Sequence, residues 1–242
     1  MRVATQTHTG QVRAKNEDSL LADEGLGLLM VADGMGGYSG GEIASALAIR
    51  TVHEFLLGSA REDTAERDPG PLIREAGRRA HEAIRLRASE DARLCDMGTT
   101  LVLALCRGPQ IHLAHAGDSR AYLIQNGVMR RVTRDHSLVD EMTACGEITP
   151  EEARRHPMRN VITRSLGSHG RAELELRVEA WGTGDYLVLC SDGLTNMLED
   201  GEIQETVLRA GPDISQACET LIDMANRAGG KDNITVILAH QE

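Results

Sequence analysis

The sequence predicts an α+β fold in which antiparallel strands are covered by helices. Three observations support this. Short runs rich in valine, isoleucine and leucine recur along the chain, an Asn-Gly pair separates two of them, and three longer segments carry apolar residues at helical spacing. We therefore expect each helix to pack on a sheet through one face.

Six apolar runs are bounded by Gly, Asp or Asn, and each has the length of a strand. They occupy residues 26–32, 99–105, 110–116, 120–124, 185–190 and 234–239. Within 122–128, Asn126 and Gly127 lie between two apolar segments, and an Asn-Gly pair is the strongest short signal of a tight hairpin. Because hairpins join antiparallel strands, we predict antiparallel pairing.

Three longer segments predict helices. Residues 42–57 carry apolar side chains near a helical period, and Pro71 opens a second such segment. The third begins after Asp213, which can cap a helix, and ends at Gly229-Gly230.

Two segments interrupt this pattern. Residues 61–69 (REDTAERDP) are highly charged and predict a surface loop between two helices. Residues 137–170 have little strand character and contain a capping box, Thr149 with Glu152, that starts a short helix soon stopped by Pro157. We expect 137–170 to form a small flap outside the main core.

Composition limits the possible functions. A chain of 242 residues that is 41% hydrophobic can bury one core, so we expect a single domain over residues 1–242. The net charge of −11 argues against nucleic acid or anionic lipid as a partner.

Apolar runs fall far short of the roughly 20 residues that span a bilayer, and the N-terminus lacks an apolar signal core. Five cysteines without a C-x-x-C spacing fit reduced thiols, so we expect a cytoplasmic protein without membrane contact.

Aspartates fall at the ends of the predicted strands. Asp33, Asp118 and Asp192 follow strands, and Asp232 precedes one. Because the end of one antiparallel strand lies beside the start of its neighbour, the four carboxylates can converge. Any one of them taken alone is more often an ordinary turn residue. Four together favour a shared site.

Carboxylates that converge need a compensating positive charge, because each raises the pKa of the others. A hard divalent cation supplies it, and an oxygen-only ligand set favours Mg²⁺ or Mn²⁺ over Zn²⁺ or copper. Glycines after Asp33 let the backbone turn so that its carboxylate and the Gly34 carbonyl face one ion. Near the N-terminus, Arg13 precedes Glu17 and offers a planar guanidinium suited to two phosphate oxygens, although a solvated surface charge is an equally ordinary role for it.

Six ordered motifs resemble those of the metal-dependent protein phosphatases of the 2C type, in their compact bacterial form. The motifs are RAKNED at 13–18, VADGMGG at 31–37, MGTT at 97–100, AGDSR at 116–120, CSDG at 190–193 and KDN at 231–233. The resemblance implies a four-layer αββα sandwich, two antiparallel β-sheets flanked by helices, with a small flap at 137–170. It also implies a binuclear Mn²⁺ or Mg²⁺ site at one end of the sandwich.

The resemblance also implies roles for residues at matching positions. Asp33 should bridge both ions with the Gly34 carbonyl on the first, and Asp192 and Asp232 should bind the second. Glu17 should act on the first ion through water, and Asp118 with Asp192 should hold a third, weaker ion. Arg13 matches the phosphate-binding arginine. We therefore expect Arg13, Asp33 and Asp192 to carry catalysis.

One position departs from the family. Animal and plant members have a histidine after the Asp-Gly pair, proposed as general acid, whereas this chain has Met35, as bacterial members commonly do. We expect a metal-bound water to replace it as proton donor. His115 and His136 are the nearest histidines by motif, and we expect His115, in mid-strand, to be a packed core residue.

The implied reaction is hydrolysis of phosphoserine and phosphothreonine monoesters on proteins by a metal-activated bridging hydroxide held with the substrate by Arg13. A cysteine phosphatase needs an arginine six residues after its nucleophile, and none of the five cysteines has one. Two other functions stay open: a phosphoprotein-binding relative without turnover, and a metal-dependent phosphodiesterase or nuclease. The complete Asp33, Asp192 and Asp232 set argues against the first, and the charge of −11 against the second.

By analogy with the family, the partners should be phosphorylated proteins and a cognate eukaryotic-like Ser/Thr kinase. Nothing in the sequence requires more than a monomer.

Overall fold

Two antiparallel sheets lie face to face with helices on their outer sides, in a computed structural model that describes residues 1–37, 40–60, 68–168 and 173–242. The strands of these residues are β1 (Arg2–His8), β2 (Asp18–Asp23), β3 (Leu28–Met35), β4 (Gly98–Thr99), β5 (Leu101–Arg107), β6 (Gln110–Ala116), β7 (Arg120–Gln125), β8 (Val128–Arg131), β9 (Glu175–Ala180), β10 (Tyr186–Cys190) and β11 (Ile234–His240). The helices are α1 (Gly40–Ala60), α2 (Gly70–Ser89), α3 (Leu138–Ala144), α4 (Pro150–Arg155), α5 (Asp192–Thr195), α6 (Asp200–Ala210) and α7 (Ile214–Arg227).

One sheet has the strand order β1-β11-β10-β7-β8, and the other has the order β2-β3-β5-β6-β9, with the short β4 also paired to β3. Successive side chains of a strand point to opposite faces, so a central strand can contribute to two cores. In β3, Leu29 and Val31 face the other sheet, whereas Leu28 and Met30 face α1 and α2. A third core lies between the first sheet and helices α6 and α7. The four-layer αββα sandwich is thus confirmed.

The predicted strands are confirmed, with shifts of a few residues at their ends. The predicted strand at 99–105 is divided at Thr100 into β4 and β5, and β3 extends past Asp33 to Met35. The hairpin between β7 and β8 turns at Asn126 and Gly127, whose φ angles of 51° and 77° match the left-handed turn that an Asn-Gly pair favours.

The three predicted helices correspond to α1, α2 and α7. The Asp213 side chain caps α7 by accepting a hydrogen bond from the Gln216 amide. Of the predicted surface loop at 61–69, residues 61–67 lie outside the described residues, and Pro69 directly precedes α2 without a side-chain cap. No helix among the described residues combines the length and the hydropathy needed to cross a bilayer.

The segment at 137–168 leaves the sandwich between β8 and β9 and contains α3 and α4; residues 169–170 of the predicted flap lie outside the described residues. The predicted capping box begins α4, with both Thr149 and Glu152 bonded to each other's backbone. Isolated antiparallel bridges, Ser137 to Ile162 and Thr99 to Leu166, join the segment to itself and to the sandwich.

Candidate active site

An acidic centre lies at one end of the sandwich, where strands of both sheets begin or end. Asp33 is near the end of β3, Asp192 directly follows Ser191 at the end of β10, and Asp232 shortly precedes β11. Because β10 pairs antiparallel with β11, the end of one lies beside the start of the other. Asp118 follows β6. The structure thus brings together the four aspartates that the sequence singled out.

Electrostatic interactions show how close these groups are. Burial raises the pKa of Asp33 well above its ordinary value, and the neighbouring carboxylates Asp18, Asp192, Asp118 and Asp232 raise it further. Burial and then Asp232 also raise the pKa of Asp192, while a hydrogen bond with Asp33 acts in the opposite direction. Asp33 and Asp192 are therefore close neighbours in the centre.

The pKa values of Asp118 and Asp18 are also raised, mainly by burial. Burial followed by the charge of Asp192 raises the pKa of Asp118 to about 7. Burial raises the pKa of Asp18 to about 7, although hydrogen bonds from Thr235 and Ser191 lower it. Without a cation, this centre cannot hold all its carboxylates ionised at neutral pH.

Two buried carboxylate oxygens of the centre lack hydrogen-bond partners among the described residues: Asp18 Oδ1 and Asp192 Oδ1. A buried oxygen without a donor is costly, and a bound cation removes that cost. The side chains that converge here are carboxylates, whose oxygens hard divalent cations prefer. The residues present therefore fit Mg²⁺ or Mn²⁺.

Hydrogen bonds from β4, from Thr100 between β4 and β5, and from the loop after β6 hold Asp33. The Thr100 hydroxyl accepts from the Asp33 amide at 2.9 Å, and the Thr99 hydroxyl donates to the Asp33 carbonyl at 2.9 Å. Ser119 in turn bonds the Thr100 hydroxyl at 2.7 Å. The MGTT and AGDSR motifs thus fix the Asp33 backbone.

Gly34 permits a close approach between β3 and α1. A Cβ placed on Gly34 would lie 2.1 Å from the Gly41 carbonyl oxygen, in the first turn of the helix. The Gly34 amide also donates to the Glu17 carbonyl at 3.2 Å. Glycine at this position brings β3, α1 and the segment before β2 together beside Asp33.

Arg13 and Glu17 lie at the rim of the centre. The Arg13 Nη2 donates to Asp232 Oδ2 at 2.7 Å, and this bond raises the pKa of Arg13. Half of the Arg13 side chain is exposed, at 51%. Burial raises the pKa of Glu17, and Arg13 partly offsets this. The guanidinium is both bound to the centre and open to an incoming anion.

Asp18 is a residue of the centre that sequence reasoning did not assign. It pairs directly with Asp33 across β2 and β3, and its Oδ2 accepts hydrogen bonds from Ser191 at 2.8 Å and Thr235 at 2.6 Å. The available signal was its place in the RAKNED motif, next to Glu17.

A second cluster, formed by His115, His136 and Glu175, places its ligand atoms within 4.8 Å of one another. The two imidazole rings are stacked with centroids 4.5 Å apart and planes 5° from parallel. Ring lone pairs lie in the ring plane, so parallel stacked rings cannot direct them at one ion. His115 is buried and its Nε2 donates to the Arg134 carbonyl at 2.7 Å, which confirms its expected place in the core.

Comparison with known proteins extends these observations. The Protein phosphatase 2C family model matches residues 5–239. The serine/threonine phosphatase stp of Listeria monocytogenes is 38% identical over 245 residues, covering 100% of this chain and 96% of that protein. The crystal structure of the Mycobacterium tuberculosis serine/threonine phosphatase PstP/Ppp has a TM-score of 0.89 at 38% identity, covering 100% of this chain and 98% of that one. A structure of the PstP catalytic domain in complex with two manganese ions has a TM-score of 0.87 at 37% identity, covering 99% and 97%.

The fold, the acidic centre and these similarities define a metal-dependent serine/threonine protein phosphatase. The chain belongs to the protein phosphatase 2C family.

Proposed function

We propose that this chain hydrolyses phosphoserine and phosphothreonine monoesters on proteins at the acidic centre, as a single catalytic domain over residues 1–242 with a flap at about 137–170. The observation that carries the proposal is the convergence of Asp33, Asp192 and Asp232, with an unpartnered buried oxygen on Asp192, beside the exposed guanidinium of Arg13.

The proposed metal ligands follow from the donor atoms of the centre. Asp33 would be shared by two ions, the Gly34 carbonyl would bind the first, and Glu17 would reach the first through water. Asp192 and Asp232 would bind the second ion, and Asp118 with Asp192 a third, weaker one. Bound Mn²⁺ or Mg²⁺ would supply the charge that keeps the carboxylates ionised and the Lewis acidity that activates water toward phosphorus.

The chain's own residues bind and orient the substrate. The Arg13 fork can hold two phosphoryl oxygens, and its bond to Asp232 keeps it turned toward the centre. Met35 has no proton to give, so water would have to protonate the leaving alcohol. His136 does not fill that role, because its Nδ1 accepts from the Gly117 amide and its Nε2 faces Glu175.

The biological setting is proposed from the family. Substrates are phosphorylated proteins, and a eukaryotic-like Ser/Thr kinase in the same cell would produce them. The proposal places the enzyme in the cytoplasm as a monomer. Size-exclusion chromatography with light scattering tests the monomer, and a mass near 52 kDa, about twice the 26.2 kDa of one chain, would contradict it.

The test is turnover of phosphoserine, phosphothreonine and phosphotyrosine peptides by purified chain with Mn²⁺, with Mg²⁺, or with excess chelator. We expect turnover of the first two peptides with metal and a loss of at least roughly a hundredfold in chelator. Asp192→Asn should lose activity, whereas Asp223→Asn, an exposed aspartate, should retain it. Equal rates with and without chelator would refute the proposal.

A further inference from the structure

The loop at residues 9–17, called the Arg13 loop here, carries both Arg13 and Glu17 between β1 and β2 without regular secondary structure. One side chain satisfies three of its backbone groups. The side-chain nitrogen of Asn233, Nδ2, donates to the backbone carbonyls of Thr9 at 2.9 Å and Lys15 at 2.8 Å. The Asn233 Oδ1 accepts from the Glu17 amide at 2.8 Å.

Asn233 also contacts the other segments of the centre. Its backbone amide donates to Asp232 Oδ1 at 2.9 Å, while Arg13 holds Oδ2 of the same carboxylate. Gly193, the residue after Asp192, packs directly on the Asn233 backbone. A Cβ added to Gly193 would lie 1.9 Å from the Asn233 carbonyl oxygen. Asn233 is buried, with 5% of its surface exposed. It lies where the segments that carry Arg13, Asp192 and Asp232 meet.

The chemistry of this position favours an amide of this length. Two carbonyls and one N–H face the side chain, so it must offer two donors and one acceptor. An aspartate would turn a carboxylate toward two carbonyl oxygens, and a serine could satisfy only part of the set. A glutamine would push the loop outward by one methylene.

We propose that Asn233 is a positioning residue for phosphate binding: its three hydrogen bonds set the Arg13 loop so that Arg13 meets the phosphoryl group next to Asp232. This rests on the proposed role of Arg13. A separate anchor holds the outer part of the loop, where Gln11 bonds the Gly230 carbonyl at 2.7 Å and the Asn226 side chain at 3.1 Å. Losing the Asn233 bonds should therefore displace the loop without releasing it.

The primary variant is Asn233→Asp, which has nearly the same shape but no donors. We expect the KM for a small phosphomonoester and the inhibition constant of inorganic phosphate each to rise about tenfold, with kcat falling less. Asn226→Asp is the matched control. It adds the same charge near the same loop but keeps the acceptor for Gln11, so both constants should stay within about twofold of wild type.

A double-mutant cycle separates positioning from general damage. If Asn233 acts through Arg13, then Asn233→Asp should change phosphate inhibition by less than about twofold when Arg13 is already alanine. Additive losses would overturn the proposal, and so would an unchanged KM in the single variant.

Hydrogen exchange of the metal-free protein gives a readout that does not need activity. Asn233→Ala removes the acceptor of the Glu17 amide, which Asn233→Asp would keep, and should speed exchange of that amide by at least about tenfold while amides of β5 and β6 stay protected. If either variant does not fold, Asn233→Ser takes its place. Failure of Asn233→Ser to fold as well would overturn the proposal, because the bonds would then hold the whole domain.

The two proposals fail in different ways. A wild-type chain without turnover would remove the proposed function, yet exchange at Glu17 would still decide the role of Asn233. Normal wild-type turnover with unchanged phosphate constants in Asn233→Asp would remove only the role of Asn233.

Discussion

Asp33 is the side chain on which the acidic centre depends most. Its backbone is held on both sides by Thr99 and Thr100, and its carboxyl is surrounded by other carboxylates. Its high pKa means that ionisation and cation binding are coupled, since a cation is what makes the charged form stable there. A neutral residue of the same shape should therefore keep the fold and lose the function.

Asp33→Asn should lower turnover of a phosphothreonine peptide by roughly a thousandfold, because the shared metal ligand is lost. Steady-state kinetics in saturating Mn²⁺ measures this. Asp223→Asn serves as control, because its side chain is 70% exposed. Turnover within tenfold of wild type would show that Asp33 holds no essential ion.

Asp18→Asn tests the carboxylate that the sequence did not assign. Removing its charge should raise the Mn²⁺ concentration for half-maximal activity by about tenfold, because the unpartnered Oδ1 contributes negative charge to the centre. At saturating Mn²⁺ the KM for substrate should stay near that of wild type, since Arg13 is unaffected. A changed KM with unchanged metal dependence would contradict this.

The grouping of Asp33, Asp118, Asp192 and Asp232 was predictable, because each lies beside an apolar strand that the sequence marks clearly. Asp18 was not, since it begins an edge strand whose residues are only partly buried, so nothing in the local pattern marked where its side chain would point. Asn233 was also not predictable as a hydrogen-bonding centre, because its partners are 216 to 224 residues away in sequence.

Among the elements, the contact between β3 and α1 depends on Gly34. Gly34→Ala should lower the free energy of unfolding by about 3 kcal/mol or more, because the new methyl group would clash with the backbone of α1. Gly37→Ala is the matched control, since a Cβ there meets nothing within 4 Å. Denaturant unfolding measures both, and equal midpoints would show that α1 can move away freely.

His115 in β6 and His136, which stacks on it just before the flap, should make stability depend on pH. Burial lowers the pKa of both His115 and His136. His136 faces His115, Glu175 and Arg164, while Glu175, Asp135 and Arg177 act on His115. A lowered folded pKa means that the unfolded chain binds more protons, so stability is complete above about pH 6.5 and falls as the pH drops below it.

Stability should therefore fall between pH 7 and pH 5 by up to about 1.4 kcal/mol per pH unit for each histidine. Other groups contribute to acid unfolding, so the diagnostic result is the difference between wild type and His136→Asn. The variant should lose less stability over this interval, measured by urea unfolding at pH 5, 6 and 7. If the free energy of unfolding changes equally with pH in wild type and variant, His136 has the same pKa in the folded and the unfolded chain.

Strands inside a sheet were predicted from the sequence, whereas several strands at the edges were not. The runs that became β3, β5, β6, β7, β10 and β11 are interior strands with continuous apolar sequence, which is a strong signal. The unpredicted β1, β2 and β9 are all sheet edges, where polar residues break the pattern. Helix α6 was unpredicted because its apolar residues are few among charged ones, and only Ile203 and Val207 are buried.

For the whole molecule, cation binding should be the largest single control on stability. The chain carries a net charge of −11, and several of its carboxylates are forced together at one end of the sandwich. Mn²⁺ at about 100 times its dissociation constant should stabilise the fold by about 2.7 kcal/mol and raise the Tm by about 5–10 °C over the chelated protein. Differential scanning calorimetry measures the shift. Asp33→Asn should abolish most of it, and a full shift in that variant would place the ions elsewhere.

Strand β11 comes last in sequence but lies inside its sheet, between β1 and β10, with Asp232 just before it and Thr235 bonded to Asp18. During translation, β1 therefore leaves the ribosome long before the strand that pairs with it. The nascent protein must keep two strand edges and an incomplete acidic end exposed until residue 240 has emerged. A partly synthesised copy therefore lacks an intact acidic end, and its unpaired strand edges can pair with another chain.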